Sequence, residues 1–140
     1  MKIIDVNVLV YATFHDSAQH TPASAWLRRA LSDGISVGIP WATVTAFLRL
    51  VTNPRVIAAP LGVQQASDLL RSWLAPSHVV VIEPTARHLD VLTGLLQTSG
   101  TAGNLVPDAH LAALALEYGG EVVSFDRDLA RFGVSVVVPT

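Results

Sequence analysis

The chain has 140 residues, 51% of them hydrophobic and 14% charged, with a net charge of −2 and no cysteine. That length makes one domain with a core of its own, and so apolar a composition excludes intrinsic disorder. The missing cysteines exclude disulfides, thiol catalysis and Cys-ligated zinc, and the balance of charge excludes a global basic field for nucleic acid. Any contact with RNA or DNA must therefore be local or carried by metal ions. In chain order, Lys2–Asp5 reads as a strand and Asn7–Phe14 as a short helix. Thr21-Pro22 reads as an N-cap and first helical residue, opening a helix with Trp26, Leu27, Ala30 and Leu31 on one face and Asp33-Gly34 at its end. Ile35–Ile39 is a second strand. Pro40 starts a helix carrying Val44, Phe47, Leu48 and Val51, which stops before Asn53-Pro54.

Val63–Leu74 has the clearest helical stripe, with Ala66, Leu69, Leu70, Trp73 and Leu74 at core spacing. Val79–Ile82 is an apolar run of buried-strand type. Thr85 opens a helix with Leu89, Leu92, Leu95 and Leu96 expected inward, and Ser99–Asn104 is a loop. Pro107 opens a helix over Asp108–Tyr118 that Gly119-Gly120 caps. Glu121–Phe125 and Ser135–Val138 are the last strands, with a turn of helix at Asp128–Phe132 between them. Strands separated by helices, with Val/Ile runs that lack period-two alternation, predict an α/β fold of three layers. The expected architecture is a central parallel sheet of about five strands flanked by helices, in a single domain over residues 1–140. The charge-free stretch from Gly34 to Leu48 is too short to span a membrane and contains Pro40. No signal-peptide pattern opens the chain, so the expectation is a cytoplasmic protein without a membrane partner.

Ligands of open parallel sheets bind beyond the carboxyl ends of the strands. Asp5 follows the first strand, Asp126 and Asp128 follow the fourth, and Asp108 begins the helix before it. Carboxylates gathered on one rim suit Mg²⁺ or Mn²⁺, which take oxygen ligands, and suit phosphodiester hydrolysis by activated water. The competing reading is local: strand-end aspartates cap helices, and Asp108 and Asp128 are each placed to serve the free N–H groups of a helix start. No dinucleotide fingerprint, P-loop or nucleophile elbow occurs. The five histidines show no zinc spacing. His110, two residues from Asp108, is expected to face away from it. Trp26 and Trp73 fall on apolar stripes and read as core or interface, while Trp41 fits either packing or base stacking.

Three ordered motifs resemble the PIN-domain ribonucleases of the VapC toxin type: Met1-Lys-Ile-Ile-Asp5-Val-Asn7-Val-Leu-Val-Tyr11-Ala, Asn104-Leu-Val-Pro-Asp108-Ala-His110, and Ser124-Phe-Asp126-Arg-Asp128-Leu-Ala-Arg-Phe132. The segment from Trp41 through Arg49 to Asn53-Pro54-Arg55 is similar to a subgroup abundant in mycobacteria. The resemblance implies a sheet order of 3-2-1-4-5, with Asp5 and Asp108 binding Mg²⁺ or Mn²⁺ and Asp126 completing the catalytic cluster. It makes Asn7 and Ser124 the groups that orient those ligands, and it makes Asp128 the cap of the short helix. It further implies metal-dependent endonucleolytic cleavage of RNA that blocks translation, neutralisation by a VapB antitoxin, and a homodimer. The family's usual glutamate on the helix after the second strand is absent, since Pro40–Leu50 holds no acid and Ala46 stands near its place. That loss favours one metal ion over two. It also frames the alternative of a PIN-fold protein that binds RNA or antitoxin and cleaves weakly.

Overall fold

In the computed structural model, which describes all 140 residues, strands and helices alternate along the chain. The order is β1 (Lys2–Ile4), α1 (Val6–Thr13), α2 (His20–Ser32), β2 (Val37–Pro40), α3 (Trp41–Val51), α4 (Val63–Leu74), β3 (Val79–Ile82), α5 (His88–Ser99), α6 (Val106–Glu117), β4 (Glu121–Val123) and β5 (Val136–Val137). Short 3₁₀ segments at Gly103–Leu105 and Arg127–Phe132 complete it. The five strands are all parallel in the order β3-β2-β1-β4-β5. The α/β expectation and the sheet order implied by the resemblance both hold.

Each strand is short, so the sheet depends on close backbone approach at its centre. Gly120 is required there: a Cβ at this position would lie 2.5 Å from the Met1 carbonyl oxygen. That contact and the Glu121 N–H bond to Met1 O (3.0 Å) bring β4 alongside β1. Helices cover both faces. One core joins Ile4, Val8, Leu9, Val37, Ile39 and Phe47 to α4, where Trp73 packs edge-on against Phe47 with ring centroids 5.2 Å apart. The other joins Ile3, Val122, Leu129 and Phe132 to α6. Covered by the sheet, α5 and the 3₁₀ turn, α6 buries Ala109 and every residue from Leu111 to Ala115.

The local departures have local causes. Helix α2 begins at His20 with Gln19 as its N-cap, so Thr21 is not the cap. A turn in which Ser17 Oγ accepts the Gln19 N–H (3.2 Å) starts the helix early, and Pro22 falls in its first turn, where a missing N–H costs nothing. Helix α5 buries no residue completely, and Leu89, expected inward, is 69% exposed. Only its Leu92, Leu95 and Leu96 reach the core. The fold is wound so that β1 ends at the sheet's centre, where the chain switches from building toward β3 to building toward β5, and the cleft beyond a parallel sheet opens at such a point.

Candidate metal and nucleic-acid site

Asp5 and Ser124 follow directly on the two neighbouring strands β1 and β4. Because α1 starts at Val6, Asn7 is held within its first turn, two residues from Asp5. Three side chains then close on one another. Ser124 Oγ donates to Asp5 Oδ2 at 2.6 Å, and Asn7 Nδ2 donates to Asp5 Oδ2 and to Ser124 Oγ, both at 2.9 Å. The Asp126 N–H donates to Ser124 Oγ at 2.9 Å, and the Phe125 N–H to Asn7 Oδ1 at 3.2 Å. Ser124 is wholly buried and fully occupied. The network ties the loop after β4 to the start of α1 and fixes one oxygen of Asp5, while Asp5 makes no capping bond to its own helix.

Asp108 stands in the first turn of α6 and makes no capping bond either. It lines, with Asp5, Thr43, Ala46, Arg49 and His110, a cleft of about 200 Å³. The Thr43 hydroxyl is turned inward, donating to the Ile4 carbonyl at 2.9 Å, and so anchors α3 to β1 beneath the cleft. Asp126 caps the 3₁₀ turn: its Oδ1 accepts the Asp128 N–H at 2.9 Å. The capping role expected for Asp128 thus belongs to Asp126, whose position before the turn matches the side-chain reach of an N-cap.

The carboxyls press on one another. Burial pushes Asp5 above its ordinary value, the Ser124 hydroxyl offsets part of this, and the charge of Asp126 adds to it. Burial also raises Asp108, followed by the fields of Asp126 and Asp5, with Arg131 in partial opposition. No three His, Asp or Glu side chains stand close enough to enclose one ion. Magnesium, however, is usually held by one or two carboxylates, with water and phosphate oxygens completing its shell. Asp5 and Asp108 facing one cleft, both raised by burial and like charge, meet that requirement with hard oxygen donors.

His110 departs from expectation by lining the same cleft as Asp108. The cleft wraps around the first turn of α6, so residues on both sides of that turn reach it. Behind it runs a chain the sequence concealed: His110 Nδ1 meets His88 Nε2 at 2.8 Å, and His88 Nδ1 pairs with Glu117 Oε2. Burial and then the charge of His88 lower His110. His110 and Glu117 are seven apart on one helix, a visible spacing, but His88 comes from α5 and no sequence signal joins it to them.

A family model described as "PIN domain" matches residues 2–134, and the chain belongs to that family. Ribonuclease VapC37 of Mycobacterium tuberculosis is 45% identical over 132 residues, covering 94% of this chain and 92% of the relative. Ribonuclease VapC33 of the same species is 39% identical over the same share of both. These relatives place the chain in the VapC branch of the family. Among solved structures, M. tuberculosis VapC20, described as a sarcin-ricin loop cleaving toxin, superposes with a TM-score of 0.70 at 18% identity, covering 99% of this chain and all of that one. VapBC2 from Rickettsia felis, bound to a DNA fragment from its promoter, gives 0.71 at 15% identity over 99% and 98%. At such identities the two structures establish the fold.

Proposed function

We propose that this chain is the toxic component of a type II toxin–antitoxin system, a Mg²⁺- or Mn²⁺-dependent endoribonuclease that cleaves RNA and so blocks translation. The observation that carries the reading is the pair Asp5 and Asp108 facing one cleft at the sheet's switch point, with Asp126 raising both. The names of the relatives, ribonucleases VapC37 and VapC33, support the reaction class. Asp5 and Asp108 are the residues assigned to hold the ion, and Asp126 contributes its charge and its uncapped oxygen. The ion, when bound, neutralises charge on the phosphodiester and activates water. The protein's own part is positioning. Ser124 and Asn7 hold the Asp5 carboxylate at one oxygen and leave the other for the cleft. Ala46, near the place of the glutamate that the family resemblance would put on this helix, leaves the wall without a third carboxylate, and one ion rather than two follows in this reading.

A VapB-type antitoxin neutralises the chain in this reading. The apolar groove between α1, α2 and α4, about 300 Å³ and lined by Leu27, Leu31, Leu69 and Trp73 with Arg28 at its edge, supports such a partner. The reading includes a homodimer, one domain over residues 1–140 and a cytoplasmic location; no helix is long and apolar enough to cross a membrane. Incubating the pure chain with RNA, with and without EDTA, tests it. Cleavage that needs the divalent ion and disappears in Asp108→Asn is expected, together with growth arrest that the antitoxin relieves. The alternative, a binding protein that cleaves weakly, rests on Ala46. It would show RNA or antitoxin binding with no divalent-dependent turnover.

A further inference from the structure

Helix α3 presents an exposed face that the network around Asp5 does not use. Strand β2 runs into α3 without an intervening loop, so Trp41 stands on the carboxyl rim of the sheet. It is 52% exposed, whereas Trp73 is in the core and Trp26 packs partly against it. Ala42, Ala46 and Arg49 follow along the cleft side of the same helix. Trp41 and Arg49 lie roughly 12 Å apart along its axis and about 80° apart around it, so Trp41 stands on the rim beside the cleft that Arg49 lines. Arg49 is exposed and makes no ion pair or hydrogen bond within the protein, although it lines the cleft with Asp5 and Asp108. No acid occurs anywhere in α3.

A cation that shares a cleft with acids and pairs with none of them is left to meet an anion brought from outside. A guanidinium suits a phosphate, since it donates in a fixed fork, and an exposed indole offers a face to any base. We propose that the exposed surface of α3, from Arg49 in the cleft to Trp41 on the rim beside it, is the strand-holding subsite, where Arg49 binds a backbone phosphate of single-stranded RNA and Trp41 stacks a flanking base. The inference rests on the nuclease reading above and assigns the two residues to substrate binding, not to the chemical step. An exposed residue at either position can be exchanged without disturbing the core.

The test uses the full chain in an Asp5→Asn background, with Mg²⁺ and a fluorescein-labelled 12-nucleotide single-stranded RNA followed by anisotropy. Trp41→Ala is expected to weaken binding about tenfold and Trp41→Phe to stay within about threefold of the parent, the pattern of stacking. Arg49→Ala is expected to weaken it about tenfold and flatten the salt dependence by about one phosphate contact, and Arg49→Lys to restore the slope. Unchanged affinity in both alanine variants overturns the proposal, as does a parent that binds no single strand. So does a Trp41→Ala variant that loses binding only as a dimer dissociates in sedimentation, because Trp41 would then face a second copy. The wild-type chain with the same RNA separates the two readings. Binding through Trp41 and Arg49 without cleavage overturns the nuclease and leaves the subsite. Cleavage with KM unmoved by either alanine variant overturns the subsite and leaves the nuclease.

Discussion

Asp108 and Glu117 sit at opposite ends of α6, and their surroundings treat the same functional group in opposite ways. The helix dipole favours a carboxylate at the first end and disfavours it at the last, by about 0.3–1 kcal/mol. The shifts run the other way. Asp108 is raised by burial and by three neighbouring acids, Asp126, Asp5 and Asp128. Burial also pushes Glu117 up, but Thr85 and His88 outweigh it and hold the carboxyl below its ordinary value. Its side chain is covered, its Oε1 accepts the Thr85 N–H at 3.0 Å and the Thr85 hydroxyl, and its Oε2 pairs with His88. Hydrogen bonds to a charged group contribute about 1.5–3 kcal/mol each, so immediate partners overrule the dipole. A carboxylate given every partner pins α5 to α6. Asp108, left among other carboxylates, has no such set of partners and is pushed up instead.

That contrast breaks most sharply at Asp108. Asp108→Asn is expected to lower divalent-dependent RNA cleavage by about a thousandfold or more, roughly 4 kcal/mol of activation free energy, and to raise the melting temperature at pH 7 because a repelled charge is gone. The same variant should lose most of the stabilisation that Mn²⁺ gives the wild type in thermal melts. A variant that cleaves normally, or that melts lower at neutral pH, contradicts the assignment.

Glu117→Gln should do the reverse. Cleavage chemistry keeps its acids, while the fold loses about 1–3 kcal/mol in urea titration. The pH dependence separates the two ends. A raised carboxyl binds its proton more tightly in the folded state, so the stability linked to Asp5 and Asp108 is present at low pH and is lost as pH rises above 3.8 through their folded values. A lowered carboxyl contributes above 4.5, and its contribution is lost as pH falls through the folded value. Asp108→Asn should therefore gain most over wild type at pH 7, and Glu117→Gln should lose most there and approach wild type in acid.

Smaller effects sharpen the comparison. Asp126→Ala removes both a helix cap and a cluster charge. It should cost about 1 kcal/mol of stability and most of the activity, whereas Asp128→Ala should change little of either. Abolished activity in Asp128→Ala with intact activity in Asp126→Ala would reverse the order. Ala46→Glu adds a carboxylate to the cleft wall and is expected to tighten Mn²⁺ binding about tenfold, roughly 1.4 kcal/mol, in calorimetry. Two tight Mn²⁺ ions per wild-type chain would contradict the single-ion reading.

Much of this was legible along the chain. The spacing at Val63–Leu74 and the run at Val79–Ile82 specified α4 and β3 to the residue, because a strong period or an uninterrupted apolar run leaves little alternative. Asp5 and Ser124-Phe125-Asp126 were readable because strand ends mark where side chains reach the rim, and Asp108 because Pro107 marks a helix start. The sequence failed where one residue's role depends on a neighbour distant in the chain. Leu89 has the right period for burial and no element above it. Helical angle turns His110 away from Asp108, yet the cleft wraps the end of their helix.

By itself, then, the sequence determined the alternation of strands and helices and the parallel sheet, since these follow from short-range patterning, and it marked the acids that stand beside the sheet's carboxyl edge. The tertiary structure alone decided which oxygens of those acids are occupied, since Ser124 comes to Asp5 from 119 residues away. It also decided that Arg49 enters the cleft unpaired and that His88 joins His110 to Glu117. Charges and hydrogen bonds act over a few ångströms of space, and no spacing along a chain records which residues the winding of the sheet will bring within that range.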